Sequence, residues 1–463
     1  MRAIRLLTPD AWLILAITVF SLAMFVPLFQ GRLILGHDSG CAFIRLVSVY
    51  KFLGDGQLLV RWIPDLHYGY GYPLFNFYPP LFYYAADLLV NVRVGLVNAI
   101  NLTCIFFLIG SGVSMYILTR EFFGRACAFL SAIAYLYAPY HICDIYVRGS
   151  FAEASAFIFF PLIIWALYKT HMTMRPLFLV LSAVSIGGLM LTHNIMAMLF
   201  VPIVFVYIGY LFVTDPRPGK KPLAVSLIAF LLGVALAAFF WLPAIAEKDA
   251  VRSTNFTGGF YQYTNHFVYP DQLIFSRWGY GESVPGRGDT MSFQVGIIQI
   301  MLSIAAIALV RAIYVRRRES GKQLIFFTAL LGGALLCTTV VSLPLWRVVP
   351  LLKFTQFPWR FLAIVNFAAA FLAGGACFVC PKKIKVAVVA VAVALLVAVN
   401  IGYCRPDPVK PLWDSATTNL KDLRELLACV RLPDTYEYLP IAVKDLPGAR
   451  NGGELVAVSG QMR

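Results

Sequence analysis

The sequence predicts an all-α polytopic membrane protein with about eleven transmembrane helices, each a run of roughly 17 to 25 apolar residues. Three observations lead there. The 463 residues are 60% hydrophobic and only 13% charged, whereas a soluble globule is nearer about half apolar. Long apolar stretches recur along the chain, as a backbone that must satisfy its own hydrogen bonds in hydrocarbon requires. Basic residues fall on alternate connections, the bias that keeps loops cytoplasmic.

The spans run from Ala11 to Phe29, Val94 to Leu118, Arg125 to Ile142, Phe151 to Lys169, Pro176 to Leu191 and Asn194 to Val213. They continue from Pro222 to Pro243, Met291 to Val315, Gln323 to Leu343, Phe357 to Cys380 and Ile384 to Tyr403. The first has a basic start and no small-residue cleavage site after it, so it reads as a retained anchor. Inside loops carry Arg2 and Arg5, Arg120 and Arg125, Lys169 and Arg175, Arg217 with Lys220 and Lys221, Arg316 to Arg318 with Lys322, and Lys382, Lys383 and Lys385. This series is consistent if Leu81 to Val90 lies along the surface, with the N-terminus cytoplasmic and the C-terminus outside. Topology therefore accounts for the net charge of +15, and no nucleic-acid partner is implied.

The organisation is a transmembrane domain over residues 1–403 and a small external tail over 404–463. External loops are expected at 30–93, 141–150, 244–290 and 344–356. The third is Gly, Asn and Tyr rich and too long for a connector, which suggests a mobile binding loop. In the tail, Leu420, Leu423, Leu427 and Val430 repeat at helical spacing and Glu454 to Val458 reads as a strand. The nine cysteines show no framework spacing. Cys377 and Cys380 form a lone C-x-x-C at a helix end, a weak metal signal, and Cys404 and Cys429 lie where a disulfide is permitted.

The outer ends of the spans collect His37, Asp38, Asp65, His67, Asp144, Arg148, Glu153, His193, Asn194, Lys353, Gln356 and Arg360. A carboxylate near a histidine can deprotonate a hydroxyl or hold a divalent cation, the one cofactor this pattern leaves open. Arginine or lysine can hold phosphate oxygens. Asp38, His37 and Glu153 are the catalytic candidates; Asp144, Arg148, His193, Asn194, Lys353, Gln356, Arg360, His67, Tyr70 and Tyr72 are the substrate-binding candidates, and no metal ligand set is assigned. Each has a plainer reading. Asp38 or Ser39 suits a helix N-cap, Ser150 and Glu153 match a capping box, and Asp144 and Arg148 can pair in an exposed loop. His193 and Asn194 suit a helix–helix turn, Lys353 and Arg360 can snorkel, and the tyrosines from Tyr68 to Tyr84 suit an interfacial belt.

The wording of several separated segments carries a resemblance: His37-Asp38; Arg61-Trp62-Ile63-Pro64-Asp65-Leu66; Gly69 to Pro80; Arg148-Gly149 with Glu153; Leu191-Thr192-His193-Asn194; Arg277 to Gly281; Met291 to Gly296; and Gln356-Phe357-Pro358-Trp359-Arg360-Phe361. Together they resemble the bacterial membrane family labelled 6-pyruvoyl-tetrahydropterin synthase-related. A pterin synthase holds zinc on histidines in a small soluble fold, and this chain offers no such cluster. The resemblance implies instead the GT-C superfamily of integral membrane glycosyltransferases, acting on polyprenyl-phosphate-linked sugars in the bacterial inner membrane. It puts Asp38 where such proteins carry an acidic residue in the first external loop, and Asp144, Arg148 and Glu153 in a second polar loop without an Asp-x-Asp or Glu-x-Asp pair. The partners implied are a polyprenyl-phosphate sugar, the bilayer, and a saccharide, lipid or protein acceptor. A transporter or flippase of lipid-linked saccharides, or an envelope-assembly scaffold, would use similar external aromatics and basic residues.

Overall fold

The computed structural model describes residues 8–25, 32–217, 219–252, 255, 257–408, 413–414, 438–443, 450–451 and 454–455. Among them, six helices are long and apolar enough to cross a membrane, and up to nine if each of three bent pairs is one span. Pro9–Met24 and Pro176–Thr192 are also apolar but only 16 and 17 residues long. Every expected run thus contains a helix; by length and composition six to nine of the eleven qualify as crossings, and the two shorter helices make up the rest.

Prolines set several boundaries, because proline has fixed φ and no N–H to leave unsatisfied in a first turn. Pro9, Pro139, Pro176 and Pro222 all stand at helix starts. Pro139 also holds Ala138 in an extended conformation, and there the helix Arg125–Leu136 breaks and resumes as Pro139–Tyr146 at 41°. This corrects the expected open loop at 141–150: His141 to Tyr146 are helical and buried, and residues 147 to 150 are buried as well. The apolar Tyr140, Ile142, Cys143 and Ile145 draw the segment inward.

The bundle is organised around Pro358–Ala376, which is wholly buried. Its small residues permit close approach, the packing device available where lipid removes the hydrophobic drive. A Cβ on Gly374 would lie 2.3 Å from Ser131 Oγ, and one turn earlier Phe371 stacks on Phe327 at 3.7 Å. Lys382–Tyr403 is the least buried candidate span, 28% of it inside.

At one end of the bundle the basic connections are bonded together. Asp10 pairs with Arg120 and Arg125, Arg217 donates to the Met172 carbonyl, Arg317 to that of Phe122, and Lys322 to that of Thr214. The opposite end carries the helices Ser39–Gly54 and Leu81–Asn91. At 11 residues, about 16 Å, the latter is too short to cross roughly 30 Å of hydrocarbon.

Parts of the tail pack on this same end. Trp413–Asp414 pairs antiparallel with Arg32–Leu33, and Glu454–Leu455 pairs with Arg450–Asn451. Residues 438–443 run beside 250–252, with Arg252 N–H donating to the Leu439 carbonyl and Ile441 N–H to that of Ala250. The expected helix through Leu420 to Val430, a Cys404–Cys429 pair, and Val456 to Val458 of the expected strand lie outside the described residues.

Candidate functional site

The sequence places Asp38 at a helix start, and the fold decides what its carboxylate is left to do. His37 N–H donates to the Val147 carbonyl at 3.2 Å and Asp38 N–H to that of Arg148 at 2.7 Å. The first loop is thereby clipped to the turn after Pro139–Tyr146. Asp38 is the N-cap residue of Ser39–Gly54, yet its side chain makes no capping bond; the Ser39 hydroxyl instead accepts from Gly36 N–H.

Two glycines make the clip possible. A Cβ on Gly36 would lie 2.4 Å from Gly149 N, and one on Gly149, at φ +61°, would lie 2.0 Å from Ser39 Oγ. Substituting G149A is expected to destabilise by at least about 1–2 kcal/mol from the left-handed backbone alone. G40A, in the first turn of Ser39–Gly54 with open space around it, should instead be neutral or gain up to about 1 kcal/mol in a helix. Thermal unfolding of the two variants checks the pair.

Asp38 lines a cavity of about 450 Å³. Its walls come from distant parts of the chain: Gly36 to Asp38 and Arg45 from the first loop, Tyr78, Arg148, His193 and Asn194, then Phe260, Tyr261, Glu282 and Ser283 from the long connection. Gln356, Trp359 and Arg360, at the start of the central span, close it together with Tyr438 from the tail. His37 lines it too, its Nε2 3.3 Å from the Tyr280 carbonyl.

Behind the wall lies a buried charge cluster. Glu153 is fully buried; its Oε1 lies 2.8 Å from Arg148 Nη1 and accepts from Tyr140 Oη at 2.7 Å. Its Oε2 faces Arg360 Nε at 3.4 Å and His193 Nε2 at 3.7 Å. Arg148 is also paired with the buried Asp144 and stacks over Trp359 at 4.7 Å. Arg360 donates to Gln356 Oε1 at 2.7 Å and to the Thr355 carbonyl at 2.9 Å. Two carboxylates thus face two guanidinium groups, as burial of charge demands. Ser150 makes no side-chain cap bond, so the capping box is absent and Glu153 spends its carboxylate on the arginines. The Asp144–Arg148 pair does form, but inside the protein rather than on an exposed loop.

His193 accepts from Met196 N–H through Nδ1 at 3.2 Å, so the neutral ring carries its proton on Nε2, toward Glu153. Burial pushes this imidazole down to about 3, against the pull of Glu153, and burial pushes His67 down to about 4. Both fall below the ordinary ~6.5 of an unfolded chain. Unfolded protein therefore takes the protons first, and the stability is full above about 6.5 and lost as pH falls toward 4 and 3. From pH 6.5 to 5 each ring should cost about 2 kcal/mol. Thermal unfolding midpoints should drop over that interval. H67N, a residue type that tolerates the positive φ of 51° found there, should remove its share of the drop.

Of the residues singled out by sequence, Asp38, His37, Arg148, His193, Asn194, Gln356 and Arg360 line the cavity. Asp144 and Glu153 sit behind it. Lys353 is exposed, its ammonium 5.2 Å from the Phe354 ring, and Asp65 is paired with Lys51. His67, Tyr70 and Tyr72 are not among the lining residues. The reason is local: Trp62 lies against Gly71, where a Cβ would meet its Nε1 at 2.4 Å, and Ile63 and Tyr72 exchange backbone bonds. That reversal turns Tyr72 inward, where its hydroxyl accepts from Tyr438 N–H at 3.1 Å.

Sequence reasoning missed Arg45, Tyr78, Glu282, Ser283 and Tyr438. The one available signal was Arg45, a lone cation in the apolar run Ala42 to Val47. Among the described residues no three His, Cys, Asp or Glu side chains come together as a metal site, and both oxygens of Glu153 face arginine or histidine nitrogens.

No curated protein matches the chain. Among solved structures it is similar to arabinofuranosyltransferase AftD from Mycobacteria, with TM-score 0.55 and 17% identity over 86% of this chain and 27% of that one. It also matches ArnT from Cupriavidus metallidurans bound to undecaprenyl phosphate, with TM-score 0.49 and 14% identity over 84% and 64% of the two chains. The Archaeoglobus fulgidus oligosaccharyltransferase gives TM-score 0.48 and 14% identity over 85% and 55%. The chain spans about a quarter of AftD and just under two thirds of ArnT. Its fold is GT-C-like. Residues 75–405, more than half of the chain, match the model of the 6-pyruvoyl-tetrahydropterin synthase related domain, a membrane protein. A bundle of apolar helices with a polar cavity at one end fits the membrane half of that description, and the chain belongs to the 6-pyruvoyl-tetrahydropterin synthase-related family of membrane proteins.

Proposed function

We propose that the protein is an integral membrane glycosyltransferase that moves a sugar from a polyprenyl-phosphate donor to a saccharide, lipid or protein acceptor. The reaction takes place at the extracytoplasmic face of the bacterial inner membrane. The observation that carries this reading is Asp38: a carboxylate without a capping bond, on a cavity it shares with three arginines. The GT-C-like fold supports it. So does the segregation of charge, since the basic connections lie at the end opposite the cavity and the positive-inside bias would put that end in the cytoplasm. An eleven-span path, with the bent pairs and the two shorter helices all crossing, gives a cytoplasmic N-terminus and an external C-terminus.

In the transfer, Asp38 takes the proton of the acceptor hydroxyl as its oxygen attacks the anomeric carbon. The new C1–O bond forms on the face opposite the breaking C1–O bond, with inversion. Polyprenyl phosphate leaves with the electron pair, and cavity arginines stabilise its charge. An apolar groove of about 590 Å³ between Asn194–Thr214 and Arg318–Thr338, reaching Phe361 beside Arg360, offers a path for the lipid chain. Residues around Tyr261 and Glu282 cover the head.

The test is proteoliposomes carrying the protein and undecaprenyl-phosphate sugars, with membrane extract as acceptor, measuring conversion to undecaprenyl phosphate. Conversion above protein-free vesicles supports the reading. None with any sugar tried sinks it.

A further inference from the structure

Three arginines reach the cavity, and they differ in how their charge is answered. Arg148 and Arg360 face Asp144 and Glu153, so that buried group of four is already balanced. Arg45 is 8% exposed and forms no ion pair among the described residues. Its guanidinium lies 3.8 Å from the centre of the Tyr78 ring, and Nη1 donates to Tyr83 Oη at 3.4 Å. Its Nε is a buried donor with no partner, and Nη2 makes no hydrogen bond among the described residues. A buried cation left this way is costly unless something brings a negative charge to it.

The surroundings favour an anion that comes and goes. Tyr78 covers one face of the planar guanidinium, and Tyr83 takes one corner. What remains is the Nε–Nη2 side of the fork, the arrangement that matches two oxygens of one phosphate. Arg45 also sits two helical turns along from Asp38 on Ser39–Gly54, so both line the same wall.

We propose that Arg45, framed by Tyr78 and Tyr83, is the phosphate-binding residue of this cavity, and that Arg148 and Arg360 act as part of its balanced frame. The identification of that phosphate as the head of an isoprenoid lipid rests on the transferase reading; the anion site itself does not.

The experiment measures binding to the purified full chain in detergent by ligand-induced thermal shift. Three probes separate the sources: undecaprenyl phosphate, undecaprenol and inorganic phosphate. Wild type should bind undecaprenyl phosphate at least about 10-fold more tightly than undecaprenol, and R45Q should lose that preference, a change on the order of 10- to 100-fold for a charge-assisted pair. R45K, which keeps the charge but not the fork, should weaken the preference by about tenfold and serves if R45Q does not fold. Saturable stabilisation by inorganic phosphate in wild type but not in either variant would mean a free-phosphate site on the same residue. Undiminished undecaprenyl phosphate preference in folded R45Q or R45K overturns the proposal and leaves the transferase reading standing. Loss of sugar transfer in proteoliposomes with R45-dependent binding intact would do the reverse.

Discussion

Replacing Asp38 by asparagine should lower the rate of sugar transfer by roughly 10²- to 10⁴-fold, the range for removing a general base, with little change in stability. The two halves of that expectation have separate physical sources. The rate falls because an amide of the same shape cannot accept the hydroxyl proton. Stability holds because the Asp38 side chain makes no capping bond, and its position is fixed by backbone bonds to Val147 and Arg148 that asparagine keeps. A change within about 0.5 kcal/mol is expected for such a site. The measurement is conversion of undecaprenyl-phosphate sugar in proteoliposomes, beside the thermal unfolding midpoint of the same preparation. A folded D38N protein that transfers at the wild-type rate would remove Asp38 as the base.

The parts of this site that could be read from sequence were those fixed by composition and order. Apolar runs mark the helices because hydrocarbon tolerates no unpaired backbone. Asp38, His193 and Arg360 stand out because each interrupts or borders such a run. Lys353 and Arg360 look alike on paper, seven residues apart beside the same aromatic segment. The fold separates them: the turn at Gln356, with φ +66°, sends Arg360 into the bundle and leaves Lys353 exposed. Glu153 carries the spacing of a capping box, and only the approach of Arg148 and Arg360 from other elements shows why its carboxylate turns away. Arg45 was hidden for a similar reason. A single arginine in an apolar surface helix reads as a snorkelling side chain, and that it has no carboxylate partner among the described residues is a fact of assembly.

Glu153→Gln should be the most destabilising single change in the site, costing about 3–5 kcal/mol, as expected when one member of a buried ionic group is removed. The amide keeps the volume and can still accept from Tyr140. It leaves Arg148 with Asp144 alone, and Arg360, also nearly buried, then has no carboxylate within ion-pair reach among the described residues. Neutral His193 cannot compensate, and protonating it would add a third positive charge. The double variant E153Q/R360Q should recover part of the loss, because it removes a stranded charge along with the acid that answered it; a coupling of about 1–3 kcal/mol is typical of such neighbours. Chemical denaturation of the single and double variants in detergent measures both. The same data separate frame from chemistry. E153Q should lose activity in proportion to folded protein, whereas D38N loses it at full occupancy of the fold. Were E153Q to fold as well as wild type while transferring sugar no better than D38N, the buried acid would be acting on the substrate, and the division between cavity wall and balanced frame would be misplaced.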